Sequence, residues 1–140
     1  MESNSSSEKV TNLDYLVKLS KGNEQFVKEM IRIFLEENPG EITTLENAIR
    51  DHDYSLINSA AHKLRSTVPF VGIDRVIADD ISELEQLALD KSGNYLTDEP
   101  KKEKQGILPT DKQLMEKIEK LFAHIKQICR RACDELKVYT

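Results

Sequence analysis

Three histidines are the first candidates for chemistry in this sequence, and His62 has the most unusual surroundings of the three. On a helical wheel at about 100° per residue, the apolar residues on either side of it form one arc, and His62 lies almost opposite its centre. The arc consists of Leu56, Ile57, Ala60, Ala61, Leu64 and Val68. We therefore predict that the imidazole stands in water. A neutral imidazole is a competent nucleophile, and it needs no deep cleft if a partner brings the electrophile.

The polar neighbours of His62 suit the transfer of an anionic group. Asn58 lies one helical turn before it, and Arg65 and Ser66 lie one turn after it. The guanidinium of Arg65 can pair with an oxyanion carried by the imidazole, and Ser66 is small enough to let another protein approach. A solvated surface histidine beside an ordinary arginine is the simpler explanation of the same wheel, so this geometry alone leaves both interpretations open.

Motifs for metal, nucleotide and covalent chemistry are absent from the sequence. Di-iron bundles use Glu-x-x-His pairs because two ligands three residues apart share one helix face, but the residues three before the histidines are Ile49, Ser59 and Leu121. There is no His-Glu-x-x-His, P-loop or Gly-x-Gly-x-x-Gly motif. Cys129 and Cys133 flank an apolar seam, and we interpret them as core residues rather than a metal half-site. The chain is poorly equipped as a free-standing enzyme, and we expect no cofactor of its own.

The first part of the chain reads as three helices. A short first helix is capped by Thr11 or Asn12 and closed by Gly22, and Asn23 caps a second helix. The sequence Asn38-Pro39-Gly40-Glu41 places a cap, a first-position proline and an acidic residue in the order typical of a helix start. It predicts that a third helix begins there and ends near Asp51.

The second part of the chain predicts three more helices and one long connection. Asp53 caps a fourth helix, which contains His62, and Pro69 is expected to kink it. A fifth helix follows Gly72. Residues 90–110 are polar and interrupted by glycine and proline, which predicts a long mobile loop. Thr110 then begins a capping box that opens the last and longest helix.

This order of elements predicts an all-α, up-and-down four-helix bundle over residues 11–140, with one or two short additional helices at its N-terminal side. Only 5 Gly and 4 Pro occur in 140 residues, which argues against a sandwich, a barrel or a glycine-rich nucleotide fold. Because the chain has enough helices to close its own core, we expect a monomer.

The remaining features concern the setting of the protein. Residues 1–10 are serine-rich and polar, and we predict a flexible lead-in or linker there. A net charge of -5 argues against nucleic acid or an anionic membrane surface as a partner. No apolar stretch approaches the roughly 18–20 residues of a membrane span. Two cysteines without a signal peptide indicate a reducing, cytoplasmic location.

The stretch Ser59-Ala60-Ala61-His62-Lys63-Leu64-Arg65-Ser66, with a glycine ten residues after the histidine, resembles the signature of histidine-containing phosphotransfer (HPt) domains. That signature runs Ala-His-x-Leu-Lys-Gly, with a further Gly at the tenth position. The matching residues are Ala61, His62, Leu64 and Gly72. Arg65 keeps the charge of the usual Lys and Ser66 keeps the small size of the usual Gly, whereas Pro69 departs from the commonest form.

The resemblance extends to both sides of the histidine. The segments 13–16, 26–30 and 34–36 look like the opening helices of the family, and Leu84-Glu85 fits the helix that follows the histidine. It covers roughly residues 10–90 well, and the last helix only by its hydrophobic pattern. Since Ala-His-x-Leu is a short motif, the case depends on the combination with the wheel and the bundle.

The resemblance implies a phosphorelay intermediate in two-component signal transduction. His62 would accept a phosphoryl group from the aspartate of a receiver domain and pass it to another receiver, with Mg²⁺ supplied by the receiver. Arg65 would be the counter-charge to the phosphoryl group, and the partner contacts would be Asn58, Lys63, Ser66 and Gly72. The implied partners are response-regulator receiver domains and a hybrid sensor histidine kinase.

Two other functions fit parts of the same sequence. The dimerisation and phosphoacceptor region of a histidine kinase has the box His-Glu-Leu-Arg-x-Pro, which shares His62, Leu64 and Arg65, but position 63 is Lys and no ATP-binding domain follows. A non-catalytic adaptor bundle would bind its partner elsewhere and would be indifferent to substitution of His62.

Overall fold

The computed structural model describes residues 9–93 and 111–139. Within these residues the chain is all-helical, with no strands, as predicted. The described residues form five α-helices: α1 (Asp14–Ser20), α2 (Glu24–Arg50), α3 (Tyr54–Thr67), α4 (Asp74–Gly93) and α5 (Asp111–Leu136). Two short 3₁₀ turns cover Val68–Val71 and Lys137–Tyr139.

The four long helices form a bundle in which each packs against two neighbours. Helix α3 packs against α2 and α4, and α5 closes the bundle by packing against α4 and α2. The core between them is aliphatic and includes the fully buried side chains of Ile31, Leu45, Ile57, Leu64, Ile77, Ile81, Leu84, Ile118, Ile125 and Leu136. With the other buried side chains included, the core residues recur at steps of three and four along each helix, so one stripe of every helix faces the common core. The predicted bundle is confirmed.

Local capping signals place two of the helix starts correctly. The side chain of Asn23 accepts a hydrogen bond from the amide of Phe26 at 3.1 Å, and Asp53 accepts one from the amide of Leu56 at 3.1 Å. Each bond satisfies one of the amides that a helix start leaves unpaired. At the start of α1 the side chain of Asn12 accepts from the amide of Asp14 at 2.8 Å, two residues along rather than three.

The predicted helix break at Asn38-Pro39 is wrong. Helix α2 runs without interruption from Glu24 to Arg50, with Pro39 inside it and Asn38 only 2% exposed. Proline removes one helical hydrogen bond and crowds the preceding turn, at a cost of about 3 kcal/mol. The turns before and after it bury Phe34 and Ile42 in the same core, and each such side chain contributes about 1.5–3 kcal/mol. Burial on both sides of the proline therefore outweighs its local cost.

Pro69 ends the histidine helix instead of kinking it. Helix α3 stops at Thr67, and Pro69 lies in the 3₁₀ turn that follows. The turn closes at Gly72, whose φ of 78° lies in the left-handed region that favours glycine. This tight turn redirects the chain into α4, so that α3 and α4 pack along each other.

The predicted lead-in of residues 1–10 needs a correction at its end. Val10 is buried in the core cluster, and the carboxylate of Glu135 near the end of α5 accepts hydrogen bonds from the amides of Val10 and Thr11, at 3.0 Å each. The Thr11 hydroxyl donates to the same carboxylate at 2.7 Å. One acidic side chain therefore holds the start of the described chain against the last helix. Residues 1–8 lie outside the described residues.

The predicted loop at 90–110 also needs a correction at its start. Helix α4 continues to Gly93, so residues 90–93 are helical. Two contacts support this last turn: Gln86 Nε2 donates to Asp90 Oδ1 at 2.9 Å, and Lys91 Nζ lies 5.8 Å from the centre of the Tyr54 ring. The rest of that loop, and the predicted cap at Thr110, lie outside the described residues.

Candidate functional site

His62 lies on the solvent-facing side of α3, as the helical wheel predicts. Its side chain is 64% exposed, while Ile57, Ala61 and Leu64 on the opposite side of the helix are buried. Leu56, at one end of the predicted apolar arc, is exposed instead, so the buried stripe is centred closer to Ile57. The helix therefore presents the imidazole outward on a scaffold fixed by its own core face.

The imidazole is oriented by a carboxylate from the next helix. His62 Nδ1 lies 2.8 Å from Oε2 of Glu85 on α4. An ionised carboxylate can only accept hydrogen bonds, so Nδ1 carries the proton and donates it to Glu85. The neutral ring then keeps its lone pair on Nε2. This bond selects the nitrogen that can act as a nucleophile.

Arg65 binds the same carboxylate from the other side. Its Nε donates to Glu85 Oε1 at 2.9 Å, and Nη2 lies 3.4 Å from Oε2. Nη2 is also 3.3 Å from His62 Nδ1; since that nitrogen donates to Glu85, we interpret this proximity as two donors sharing one acceptor. The Glu85 side chain is 17% exposed and the Arg65 side chain 45%. The guanidinium is thereby held one turn from the imidazole, with its charge next to the ring.

Asn58 contributes to this site from a half-buried position on α3. Its Nδ2 donates to the backbone carbonyl of Glu85 at 2.8 Å, one turn before His62 on the same helix. The bond ties α3 to α4 at the residue that orients the imidazole. Asn58 is therefore placed to position Glu85, and its role as a partner contact stays a prediction.

Lys63 and Ser66 lie on the exposed surface beside His62. Lys63 Nζ is 3.9 Å from Glu41 Oε2 on α2, and the Ser66 hydroxyl donates to the carbonyl of Lys63 at 2.6 Å. Burial raises the pKa of Glu41, although Lys63 and the hydroxyl of Thr67 act in the opposite direction. Lys63 directly follows His62 in the chain and Ser66 lies one helical turn after it, and both residues are exposed.

Gly72 is the predicted partner contact that the structure reassigns. It is buried, and a Cβ built on it would lie 2.3 Å from the backbone oxygen of Asn12. The amide of Asn12 donates to the carbonyl of Val71 at 2.9 Å, which brings the N-terminal segment onto this turn. The glycine therefore serves the packing of the fold and does not reach the surface where a partner would dock.

Glu85 is the site residue that sequence reasoning did not identify as functional. In the sequence it belongs to Leu84-Glu85, which fits the helix after the histidine. Its signal was the position of an acidic residue directly after the buried Leu84, at the edge of the apolar stripe of α4. Which side of α4 faces His62 depends on how α3 and α4 pack together. A helical wheel drawn for one helix cannot predict this packing.

The described parts of the chain show no cluster of three or more His, Cys, Asp or Glu side chains that could hold a metal ion. Cys129 is buried in the core and Cys133 packs against it, in agreement with their interpretation as core residues. Burial raises the pKa of Cys129 to about 12, so its thiol stays protonated at neutral pH. Among the helices of the described residues, none is long and apolar enough to cross a membrane.

An exposed imidazole, oriented by a carboxylate and carried by a helical bundle, defines a protein that presents a histidine to a partner. The comparison with protein families agrees with this class. The model of the Hpt domain matches residues 29–128, and the chain belongs to the Hpt family. Membership implies a role in histidine phosphotransfer within a phosphorelay, with phosphorelay components such as receiver domains as partners. Searches of curated proteins and of solved structures gave no match.

Proposed function

We propose that His62 is the phosphoacceptor of this domain, taking a phosphoryl group from the aspartate of one receiver domain and passing it to another. The observation that carries the proposal is the hydrogen bond from His62 Nδ1 to Glu85. It leaves the lone pair on Nε2, the nitrogen that an approaching phosphoryl group can meet on an exposed side chain.

The transfer needs little from this chain beyond position and charge. The Nε2 lone pair forms a bond to phosphorus while the bond between phosphorus and the aspartate oxygen breaks, and the aspartate leaves as a carboxylate. The ring becomes an imidazolium, whose Nδ1 proton remains on the hydrogen bond to Glu85. Running the same steps backwards passes the phosphoryl group to a second receiver. Mg²⁺ would come with the receiver.

Arg65 is the proposed counter-charge. The guanidinium is held beside the imidazole by its bonds to Glu85, and its remaining donors can meet the phosphoryl oxygens. The positive charge of Arg65 also balances the carboxylate, so that the incoming phosphoryl group is not repelled by Glu85. Lys63 and Ser66 border the imidazole and would contact the docked receiver, with Asn58 behind them.

The wider setting belongs to the same proposal. A hybrid sensor histidine kinase would supply one of the receivers, and the domain would work as a monomer in the cytoplasm. The four long helices close a core within one chain, which supports the monomeric state.

The test is phosphoryl transfer, with Mg²⁺, from a panel of prephosphorylated receivers of the source organism. The parent protein is expected to acquire acid-labile, alkali-stable label, and His62→Gln is expected to acquire none while remaining folded. His52→Asn is the matched control, because His52 is also exposed and asparagine tolerates its left-handed backbone, with a φ of 56°. Equal labelling of the parent and His62→Gln would overturn the proposal.

The same experiment separates the two other functions. An adaptor would bind its partner equally well with and without His62, and no receiver of the panel would label it. A histidine-kinase dimerisation region would form a homodimer, which light scattering detects.

A further inference from the structure

A second histidine of the bundle is also oriented by a carboxylate. His124 on α5 makes a hydrogen bond through Nδ1 to Oδ2 of Asp80 on α4. The imidazole side chain is 46% exposed and that of Asp80 is 27% exposed. No sequence motif includes His124, and the proposed relay through His62 makes no use of it.

The protonation of this pair follows from the same argument as at His62. The carboxylate of Asp80 accepts, so Nδ1 of His124 donates, and the lone pair of the neutral ring stays on Nε2. Helix α4 thus supplies both carboxylates: Glu85 faces α3 and Asp80 faces α5. The two imidazoles therefore lie on opposite sides of α4. In each of them Nδ1 donates to a carboxylate, and the neutral ring keeps its lone pair on Nε2.

The geometry points to His124 as a second phosphoryl-accepting histidine, with small phosphoramidate-type compounds as its donors. Such a donor holds its phosphoryl group through a labile bond between phosphorus and nitrogen. Transfer of that group requires a free imidazole nitrogen but no metal and no partner protein. The surroundings of His124 favour this donor class over a docked receiver. Gln127 stands three residues after His124, where His62 has Arg65, so the guanidinium that accompanies the first site has no counterpart. This inference does not depend on the proposed function of His62.

The step balances without a further reactant. The Nε2 lone pair of His124 forms the new bond to phosphorus, and the donor's phosphorus–nitrogen bond breaks, with its electron pair leaving on ammonia. The ring becomes an imidazolium, and its Nδ1 proton stays on the hydrogen bond to Asp80, whose negative charge stabilises it.

His52 provides a control within the same molecule. It is exposed, and its ring stacks on that of Tyr54, with 6.4 Å between the ring centroids and an interplanar angle of 28°. Within residues 9–93 and 111–139, no contact between His52 and a carboxylate is found. If exposure alone decided reactivity, His52 and His124 would react alike. If the carboxylate decides it, His124 reacts faster and only on Nε2.

The experiment treats the full chain carrying His62→Gln with potassium phosphoramidate, so that label at His62 does not interfere. Mass spectrometry of peptides follows each histidine over time, and ³¹P NMR identifies which ring nitrogen carries the phosphoryl group. We expect His124 to be labelled several-fold faster than His52, and on Nε2. Asp80→Ala is expected to lower the rate at His124 to that of His52, whereas Asp79→Ala, which removes an exposed acid from the same helix, leaves it unchanged.

Labelling of His124 no faster than His52, or an unchanged rate and nitrogen in a folded Asp80→Ala, would overturn the inference. Circular dichroism establishes that each variant is folded. Should Asp80→Ala unfold, Asp80→Asn replaces it, because the amide oxygen still accepts from Nδ1. The label then stays on Nε2 while its rate falls with the lost charge, and a parental rate would count against the inference. A failure of receiver transfer to His62 does not change any of these readings.

Discussion

At the scale of single residues, the state of His62 depends on a side chain twenty-three positions away. The Glu85 carboxylate accepts the hydrogen bond from Nδ1. The same carboxylate accepts from Arg65, and the backbone carbonyl of Glu85 accepts from Asn58. The imidazole is exposed, but the carboxylate that orients it is largely shielded, because it lies between α3 and α4. A shielded acceptor beside an exposed nucleophile keeps the ring oriented while leaving Nε2 open to a partner.

Replacing Glu85 tests this orientation directly. We expect Glu85→Ala to slow phosphoryl transfer to His62 by roughly 10–100-fold, the range found for residues that orient metal-binding histidines through the same kind of hydrogen bond. Glu85→Gln should lose less, because its amide oxygen still accepts from Nδ1. Single-turnover transfer from a phosphorylated receiver measures both. Glu83→Ala is the control, since Glu83 is an exposed acid of the same helix that pairs with Lys117. Equal rates for the parent and Glu85→Ala would contradict the assignment.

Arg65 allows a test that separates charge from geometry. Arg65→Ala removes the counter-charge and should slow phosphoryl transfer. Arg65→Lys keeps the charge but loses the two-point contact with Glu85, so its transfer rate should lie between those of the parent and Arg65→Ala. Stability should change by no more than about 0.5 kcal/mol, because the Arg65 side chain is 45% exposed. Transfer kinetics and urea unfolding of each variant provide the measurements. An Arg65→Ala protein that transfers at the parental rate would remove Arg65 from the mechanism.

At the scale of elements, α2 shows that tertiary packing can retain a helix across a proline. Pro39 deprives the carbonyl of Leu35 of its helical partner, yet the turns on both sides bury apolar residues. Asn38 lies buried at the same point, with Nδ2 3.6 Å from the sulfur of Cys129. The missing hydrogen bond and the crowding by the proline ring therefore still destabilise the folded protein.

Pro39→Ala should consequently stabilise the domain. Alanine restores the missing amide and removes the clash of the ring, and we expect a gain of about 1–3 kcal/mol in the free energy of unfolding. Urea denaturation and the thermal midpoint measure the change. Because Pro39 is exposed, the substitution removes no core contact, so a loss of stability would show that the proline itself is needed for the geometry of α2.

The N-terminal segment is joined to α5 by a bond whose strength depends on pH. Burial acts to raise the pKa of Glu135, but the hydrogen bonds from Thr11 and from the amides of Val10 and Thr11 outweigh it, and the pKa lies below its ordinary value of 4.5. A carboxyl with a lowered folded pKa stabilises the fold above its unfolded pKa. That contribution is lost as the pH falls from about 4.5 through the folded value.

Glu135→Gln should therefore be less stable than the parent at neutral pH, with the difference shrinking in acid. Unfolding of both proteins in urea at about pH 7 and about pH 3.5 measures this difference. Comparing the two proteins at each pH isolates Glu135 from Glu41, whose raised pKa changes stability in the opposite direction. A difference that is constant with pH would exclude the carboxylate as the source.

At the scale of the whole molecule, the bundle closes its own core. Each long helix packs against two others, and their buried stripes meet in one cluster of side chains. A dimeric four-helix bundle built from two hairpins would have to expose such a stripe in the single chain.

The isolated protein is accordingly expected to be a monomer. Light scattering should give a mass near 16.0 kDa, unchanged on dilution and unchanged by His62→Gln, because His62 lies outside the core. A mass of twice that value would favour the dimeric histidine-kinase region over the monomeric domain.

Much of this protein can be predicted from its sequence, because many of the decisive interactions are local. Hydrogen bonds within one turn start helices at Asn23 and Asp53, and the spacing of apolar residues turns His62 outward. The motif around His62 led to the family, and the family match over residues 29–128 confirms it. Each of these features depends on residues that are neighbours along the chain.

Tertiary structure decided the features that depend on two elements at once. Pro39 stays inside a helix because other helices bury the turns on both sides of it. Glu85 becomes part of the site because the side of α4 that carries it packs toward α3. Asn12 fills the space that a side chain at position 72 would need, because the N-terminal segment crosses the turn at Gly72. The physical reason is common to all three: burial and hydrogen bonding between distant segments add energies comparable to or larger than local preferences, and only the packed molecule shows where they act.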